Sequence, residues 1–296
     1  MPASQPPDGR HAVSTGDARV PTGSLILPVP VITIGDATDR RLDDYRNVPD
    51  SELLRRRGLF VAEGRLVVRR LLAERRFLTR SVMVTEAARA SLDDVLGARP
   101  DVPVYVVPLA VMNGITGFNI HRGCLAIGER PQPTPWTDVV SGARTVVVLE
   151  RVANADNIGG VFRNAAAFGA GAVLLDAAST DPLYRKSIRT SMGAALTVPF
   201  ARAEPWPGVL LELGGCGFAT VALTPASSAP PIDESMKRLA RQPVALVLGH
   251  EGEGLTDGAL DSCSHRARIP MAPHIDSLNV ASAAAVALYE RSRRIV

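Results

Sequence analysis

Thr145-Val146-Val147-Val148-Leu149 is followed a few residues later by Asn157-Ile158-Gly159-Gly160-Val161-Phe162-Arg163. The β-branched run reads as a strand, and the apolar spacing after it as a helix over 158–168 closed by Gly169. A polar, glycine-bearing turn at the end of an apolar strand is where α/β proteins aim backbone N–H groups and side chains at a ligand. Asn157 suits the cap of a helix beginning at Ile158. Gly159 and Gly160 admit close backbone approach, and Arg163 projects from the first turns, near the helix's positive end. Taken alone, the block equally suits a helix with a solvent-facing arginine. It is not G-x-G-x-x-G, and no carboxylate closes a second strand at the distance a dinucleotide fingerprint needs.

Two more blocks have the same design. Val244-Ala245-Leu246-Val247-Leu248 runs straight into Gly249-His250-Glu251-Gly252-Glu253-Gly254-Leu255, a glycine loop with exposed amides and an acid at its centre. His250-Glu251 does not continue into H-E-x-x-H, and His265 and His274 lie on other turns, so no metal is expected. Arg268-Ile269-Pro270-Met271 reads as a strand end that proline forces out of the sheet. Ser277-Leu278-Asn279-Val280 opens a last helix, with Asp276 or Ser277 as the expected cap. On that reading Asn279 falls inside the first turn, where asparagine is a poor helix former.

Working outward, 172–175, 196–200, 218–223 and 267–269 read as strands, and 185–195 and 280–293 as helices. The alternation predicts an α/β fold with a parallel sheet covered on both faces. The front of the chain reads as strands at 29–34, 59–62, 81–85, 102–107 and 124–127. Helices there fall at 52–57, 65–76 and 111–115, the second carrying Leu66, Val67, Leu71 and Leu72 between arginines. The expected organisation is a disordered tail over 1–28, a small α/β domain over 29–130, a proline-rich linker over 131–138 and a second α/β domain over 139–296. The tail has no apolar signal core.

Of 296 residues 46% are hydrophobic, enough to bury real cores, and the net charge is only +3. Basic charge is almost all arginine, since Lys186 and Lys237 are the two lysines. A GC-rich genome explains that bias; so does phosphate recognition by bidentate guanidinium groups. Twelve arginines against six acids between Arg40 and Arg80 suit an RNA footprint or a solvated helix face. Three widely spaced cysteines without C-x-x-C argue against a disulfide framework and fit a reducing cytoplasm. No apolar stretch approaches the ~18 residues of a membrane span.

Taken jointly, in this order and at this spacing, the three blocks resemble the motifs of the SpoU-type (TrmH-like) RNA 2′-O-methyltransferases, a branch of the SPOUT superfamily, over residues 144–293. More loosely, Gly58-Leu59-Phe60-Val61-Ala62-Glu63-Gly64 and Ile115-Thr116-Gly117-Phe118…His121-Arg122-Gly123 resemble the substrate-binding domain of these enzymes, whose fold is similar to a small RNA-binding ribosomal protein. The resemblance implies a parallel-sheet SPOUT domain with a C-terminal deep trefoil knot, and a homodimer sharing its active site across the interface. It implies S-adenosylmethionine held by Gly249, Ile269 and Leu278, with Met271 and the turn at Leu223-Thr224. Arg163 matches the arginine that acts on the ribose 2′-hydroxyl, as a base or by steadying phosphate and oxyanion charge. Asn157, Glu251, Ser277 and Asn279 match the positions around it. Arg189, Ser191 and Gly193, within 185–193, match a stretch near the RNA-binding face, and Arg185, Lys186 and Arg189 are the expected phosphate contacts there. His250 stands where asparagine or another small polar residue is more usual, and is read as a tolerated change.

The implied reaction is transfer of a methyl group to a ribose 2′-OH in structured RNA. A separate substrate domain favours ribosomal over transfer RNA, and an antibiotic-resistance variant shares the layout. Two readings of other classes stand beside it: a non-catalytic RNA-binding assembly factor and a nucleotide-binding oxidoreductase. The motif side chains count against the first, and the absence of a dinucleotide fingerprint against the second.

Overall fold

The computed structural model describes residues 30–46, 49–117, 120 and 123–295. The expected tail over 1–28, and Phe118, His121 and Arg122 of the front motif, lie outside the described residues. The chain forms two sheets. The first holds β1 (Val31–Thr33), β2 (Leu59–Glu63), β3 (Leu78–Val84), β4 (Val104–Val106) and β5 (Cys124–Glu129) in the order β1-β4-β3-β5-β2. It is mixed: β5 runs antiparallel to β2 and β3, while β4 is parallel to β1 and β3.

The second sheet is parallel throughout. It holds β6 (Thr145–Leu149), β7 (Ala172–Leu175), β8 (Phe200–Arg202), β9 (Ala219–Leu223), β10 (Val244–Leu248) and β11 (His265–Ala267) in the order β11-β9-β10-β6-β7-β8. Every residue of β6, β7 and β10 is buried. Continuous apolar runs of this kind mark strands covered on both faces.

Several local expectations are corrected. The helix expected over 185–195 breaks into Arg185–Thr190 and Ala194–Thr197, because Met192 (φ 55°) and Gly193 (φ +85°) turn left-handed between them. The strand expected over 196–200 is therefore the end of the second helix, and pairing begins at Phe200. The last strand lies at His265–Ala267, ahead of the expected 267–269. Helices Gly208–Gly215, Ile232–Arg238 and Asp257–Ser262, absent from the sequence reading, make the crossovers a parallel sheet requires.

The two sheets share one apolar core. Phe60, Val68 and Leu71 of the front half cluster with Val147, Phe162 and Leu196 of the second. Arg76 locks this contact, donating to Leu196 O at 2.7 Å while its guanidinium lies over the rings of Phe77 and Phe200 at 4.6 and 5.5 Å. Arg130 and Arg202 both pair with Asp181. Directly after the proline-rich stretch, Trp136 is buried in the core on the other face of the second sheet.

The C-terminal helix, Val280–Ser292, packs along the helix Ala155–Ala167. Its contact is close: a Cβ at Gly160 would lie 2.7 Å from the Ala281 Cβ. At its far end the fully buried Arg291 donates to Leu239 O (2.9 Å), Gln242 O (2.6 Å) and Arg144 O (3.2 Å), joining three chain segments. Burial, with Arg144 nearby, pulls its pKa down to about 10, so it stays charged at neutral pH. Arg291→Met removes a charged donor from all three carbonyls and leaves Gln242 O without a donor among the described residues, while Leu239 O and Arg144 O keep the N–H groups of Gln242 and Val244; equilibrium urea unfolding should show a loss of about 2–4 kcal/mol.

Candidate active site

β6 and β10 are neighbours at the centre of the second sheet, but the chain leaves them in opposite directions, toward β7 and toward β11. The crevice beyond their C-terminal ends is a topological switch point, where open α/β sheets bind ligands. A cavity of about 430 Å³ lies there. It is bounded by the turn after β9, the glycine loop after β10 and the segment leading into the last helix. Leu223, Thr224, Gly249, Ile269, Met271 and Leu278, the six cofactor candidates, all line it. Glu251 and Ser277 line it too.

Backbone packing dictates the shape of the glycine loop. A Cβ at Gly249 would lie 2.4 Å from the carbonyl carbon and oxygen of Gly254, so no side chain fits there without moving the backbone. Gly254 has φ +71°, a region that favours glycine. His250 and Gly254 exchange backbone hydrogen bonds of 3.1 and 2.9 Å across the neck.

The foot of the loop rests on a residue that the sequence reading missed. Glu150, the first residue after β6, is 1% exposed. Its carboxylate accepts from Thr256 N (2.9 Å), Thr256 Oγ1 (2.7 Å) and Trp206 Nε1 (2.7 Å). The Thr256 hydroxyl also caps the helix Asp257–Ser262. An acid directly after an all-apolar strand was the available signal, since a buried carboxylate requires donors. Beside it, Arg151 sits at φ 57°, its N–H held by Asp176 at 3.0 Å and its guanidinium paired with Glu253 at 2.6 Å.

Hydrogen bonds join all three motifs. Asn279 Nδ2 donates to Asn157 Oδ1 at 2.8 Å, and Asn157 Nδ2 donates to Glu251. Both capping expectations are corrected here. Asn154, not Asn157, caps the helix after β6, which starts at Ala155. Asn279, not Asp276 or Ser277, caps the last one, accepting from Ala281 N and Ser282 N. Asn157 lies inside the first turn, so its amide is free to bridge the other two motifs. Ser277 is left exposed at the cavity wall.

Arg163 is exposed, has no hydrogen bond or ion pair among the described residues, and does not line the cavity. It lies seven residues after Asp156, on the same helix stripe. Beside that stripe the helix Arg185–Thr190 packs tightly, with a Cβ at Gly159 meeting Ser187 O at 2.7 Å. Lys186 pairs there with Asp156 at 2.8 Å, and Arg189 reaches Glu63 of β2 at 4.0 Å. The backbone N–H of Arg185 donates to Asp50 at 2.9 Å. The three RNA-binding candidates thus cluster at the junction of the two sheets. His250, read from sequence as a tolerated change, carries two hydrogen bonds within the loop. Among the described residues, no group of three or more His, Cys, Asp or Glu could hold a metal ion, and no helix is long and apolar enough to cross a membrane.

A family model described as the SpoU rRNA methylase family matches residues 144–289. A protein of Mycobacterium bovis called an uncharacterized tRNA/rRNA methyltransferase is 44% identical over 262 residues, covering 87% of this chain and 90% of that protein. Among solved structures, an AdoMet-bound rRNA methyltransferase from Sinorhizobium meliloti has a TM-score of 0.76 at 25% identity, covering 90% of this chain and 99% of that one. A structure described as an RNA 2′-O ribose methyltransferase has a TM-score of 0.71 at 26% identity, covering 89% and 99%.

Glu150→Ala removes the acceptor of three donors beneath the loop. Equilibrium unfolding should show a loss of about 2–4 kcal/mol, accompanied by a red shift of Trp206 emission. A Glu150→Ala chain with wild-type stability and emission would deny Glu150 its anchoring role.

Proposed function

The chain belongs to the SpoU rRNA methylase family, and we propose that it transfers the methyl group of S-adenosylmethionine to a ribose 2′-hydroxyl of ribosomal RNA. The observation that carries this reading is the cavity at the switch point. All six cofactor candidates line it, and it is tied through Glu251, Asn157 and Asn279 to the helix that bears Arg163. The cavity fits the donor in kind. Leu223, Ile269 and Leu278 offer apolar walls, and the glycine loop offers backbone groups, the mix usual for cofactor pockets. When bound, S-adenosylmethionine supplies a methyl group activated on a sulfonium.

The side chains divide the remaining work. A guanidinium is a poor general base. The free, exposed guanidinium of Arg163 suits a phosphate beside the target ribose and charge growing on the 2′-oxygen. Asn157 and Asn279 hold the helix after β6 and the last helix in register with the loop, and Ser277 adds a hydroxyl at the cavity wall. Positioning of this kind supplies much of the rate in a displacement that needs only alignment.

Arg163 stands outside the cavity of its own chain, which supports a homodimer whose active site is completed by the second copy. Val286 and Tyr289, exposed on the last helix, supply apolar surface for that contact. The C-terminal segment is read as the deep trefoil knot of the SPOUT domain. Support comes from the last helix, which returns to pack on the helix after β6. Residues 29–130 are read as the RNA-binding domain, 131–138 as the linker and 139–296 as the catalytic domain, working in the cytoplasm. Transfer RNA as target and a resistance role are the alternatives within the same chemistry.

Methyl transfer from labelled S-adenosylmethionine to ribosomal RNA, transfer RNA and ribosomal particles tests the reading. One discrete 2′-O-methyl site is expected in ribosomal RNA, with a rate about 10²-fold lower or worse for Arg163→Ala. Cofactor binding without transfer to any RNA or particle would instead indicate a non-catalytic RNA-binding factor. Replacing Arg185, Lys186 and Arg189 together by Ala should weaken RNA binding and reduce its log–log salt slope by about 2–3; an unchanged slope removes them from the RNA face.

A further inference from the structure

A histidine ring braces the cofactor loop from inside. Nδ1 of His250 accepts from Gly252 N at 3.0 Å and from Glu253 N at 3.2 Å. Neither N–H has a backbone acceptor among the described residues. A ring nitrogen facing two donors must present its lone pair, so the two hydrogen bonds require a neutral imidazole with its proton on Nε2. Protonating Nδ1 would set an N–H against two N–H groups, replacing two attractions by two repulsions. An asparagine Oδ1 could accept from the same two groups in an Asx-type turn and would not titrate. Histidine does the same task with an acceptor that a proton removes.

We propose that His250 is a positioning residue whose protonation state sets the shape of the loop and, through it, the affinity for S-adenosylmethionine. The proposal rests on the cofactor reading above. The loop from Gly249 to Leu255 forms one wall of the cavity, and both ends of it are pinned, at the neck by Gly254 and at the foot by Glu150 through Thr256. Between those pins, the His250 ring is the brace. Five charged groups surround it. Glu251 and Glu253 share its loop, Arg151 reaches in from the turn after β6, Asp276 lines the cavity from the segment before the last helix, and Glu150 lies beneath Thr256. The Glu253 carboxylate is engaged by Arg151 and that of Glu251 by Asn157, and neither carboxylate is hydrogen-bonded to the ring. The brace needs the unprotonated Nδ1, so affinity falls as pH falls. One proton excluded by binding gives a limiting slope of about tenfold in Kd per pH unit.

The test is calorimetric titration of S-adenosylmethionine into the full-length protein from pH 5.5 to 8.5, for wild type, His250→Asn and His250→Ala. The wild-type Kd should climb on the acid side toward that slope. His250→Asn should bind at pH 8.5 and stay level where wild type climbs, while His250→Ala should bind several-fold more weakly than His250→Asn at every pH and converge with wild type on the acid side. The surrounding carboxylates and the ligand's own amine are common to all three proteins, so the difference reports on the ring. Wild type and His250→Asn climbing in parallel, or both staying flat, would overturn the proposal. Absence of binding by wild type at pH 8.5 would instead reject the cofactor reading itself, and the proposal with it. Should His250→Asn not fold, ring ¹³C and ¹⁵N shifts of the wild-type complex decide: the Nε2–H tautomer upholds the brace, and the Nδ1–H tautomer refutes it.

Discussion

One carboxamide holds three distant parts of the chain together. Asn157 is buried, so both ends of its side chain require partners. Its N–H₂ reaches Glu251 in the loop after β10, and its oxygen takes the N–H₂ of Asn279 at the head of the last helix. Each partner is itself constrained: Glu251 by a loop that only glycine at 249 permits, Asn279 by its duty as a helix cap. A short polar chain thereby sets the spacing between the helix that carries Arg163, one wall of the cavity and the chain's return path. Asp and Gln at 157 are both wrong for this place: the first has no donor, and the second is longer by one methylene.

The parallel sheet explains why these parts can meet at all. In β11-β9-β10-β6-β7-β8 the chain leaves the central pair in opposite directions, which opens a crevice at their C-terminal ends. Glu150 stands at that point and turns a buried charge to structural use, gathering donors from the loop after β10 and from Trp206 in the segment after β8. The front sheet is not a loosely tethered appendage to this arrangement. It shares an apolar core with the second sheet, and Arg76 and Asp181 clamp the contact. The basic residues Lys186 and Arg189 lie along that junction, engaged by Asp156 and Glu63.

Much of this was legible in residue order. β6, β7 and β10 stand out as apolar runs of four or five residues, and the turns after β6 and β10 carry glycines and polar groups where a switch point needs them. The six cofactor candidates and two of the five catalytic candidates meet at one cavity. Boundaries set by φ angles were not legible: Met192 at φ 55° splits a segment whose composition favours one helix. Short crossover helices escaped notice because they have few turns in which a periodicity could show. The caps were shifted because Asn, Asp and Ser are all competent, and only packing chooses among them. His250 looked like a tolerated change because an acceptor's role depends on the direction of two N–H groups, which residue order does not contain.

By itself, the sequence determined the alternating α/β architecture, the order of the three blocks and the identity of the groups that can do chemistry, since periodicity and turn composition are local properties. Tertiary structure alone decided which of those groups share a hydrogen bond, that Glu150 supports the loop, that Arg163 stands outside the cavity of its own chain, and that His250 Nδ1 accepts from two N–H groups of the loop. These depend on distances between residues as many as 122 positions apart, and such distances arise only when the sheet and its crossovers have packed.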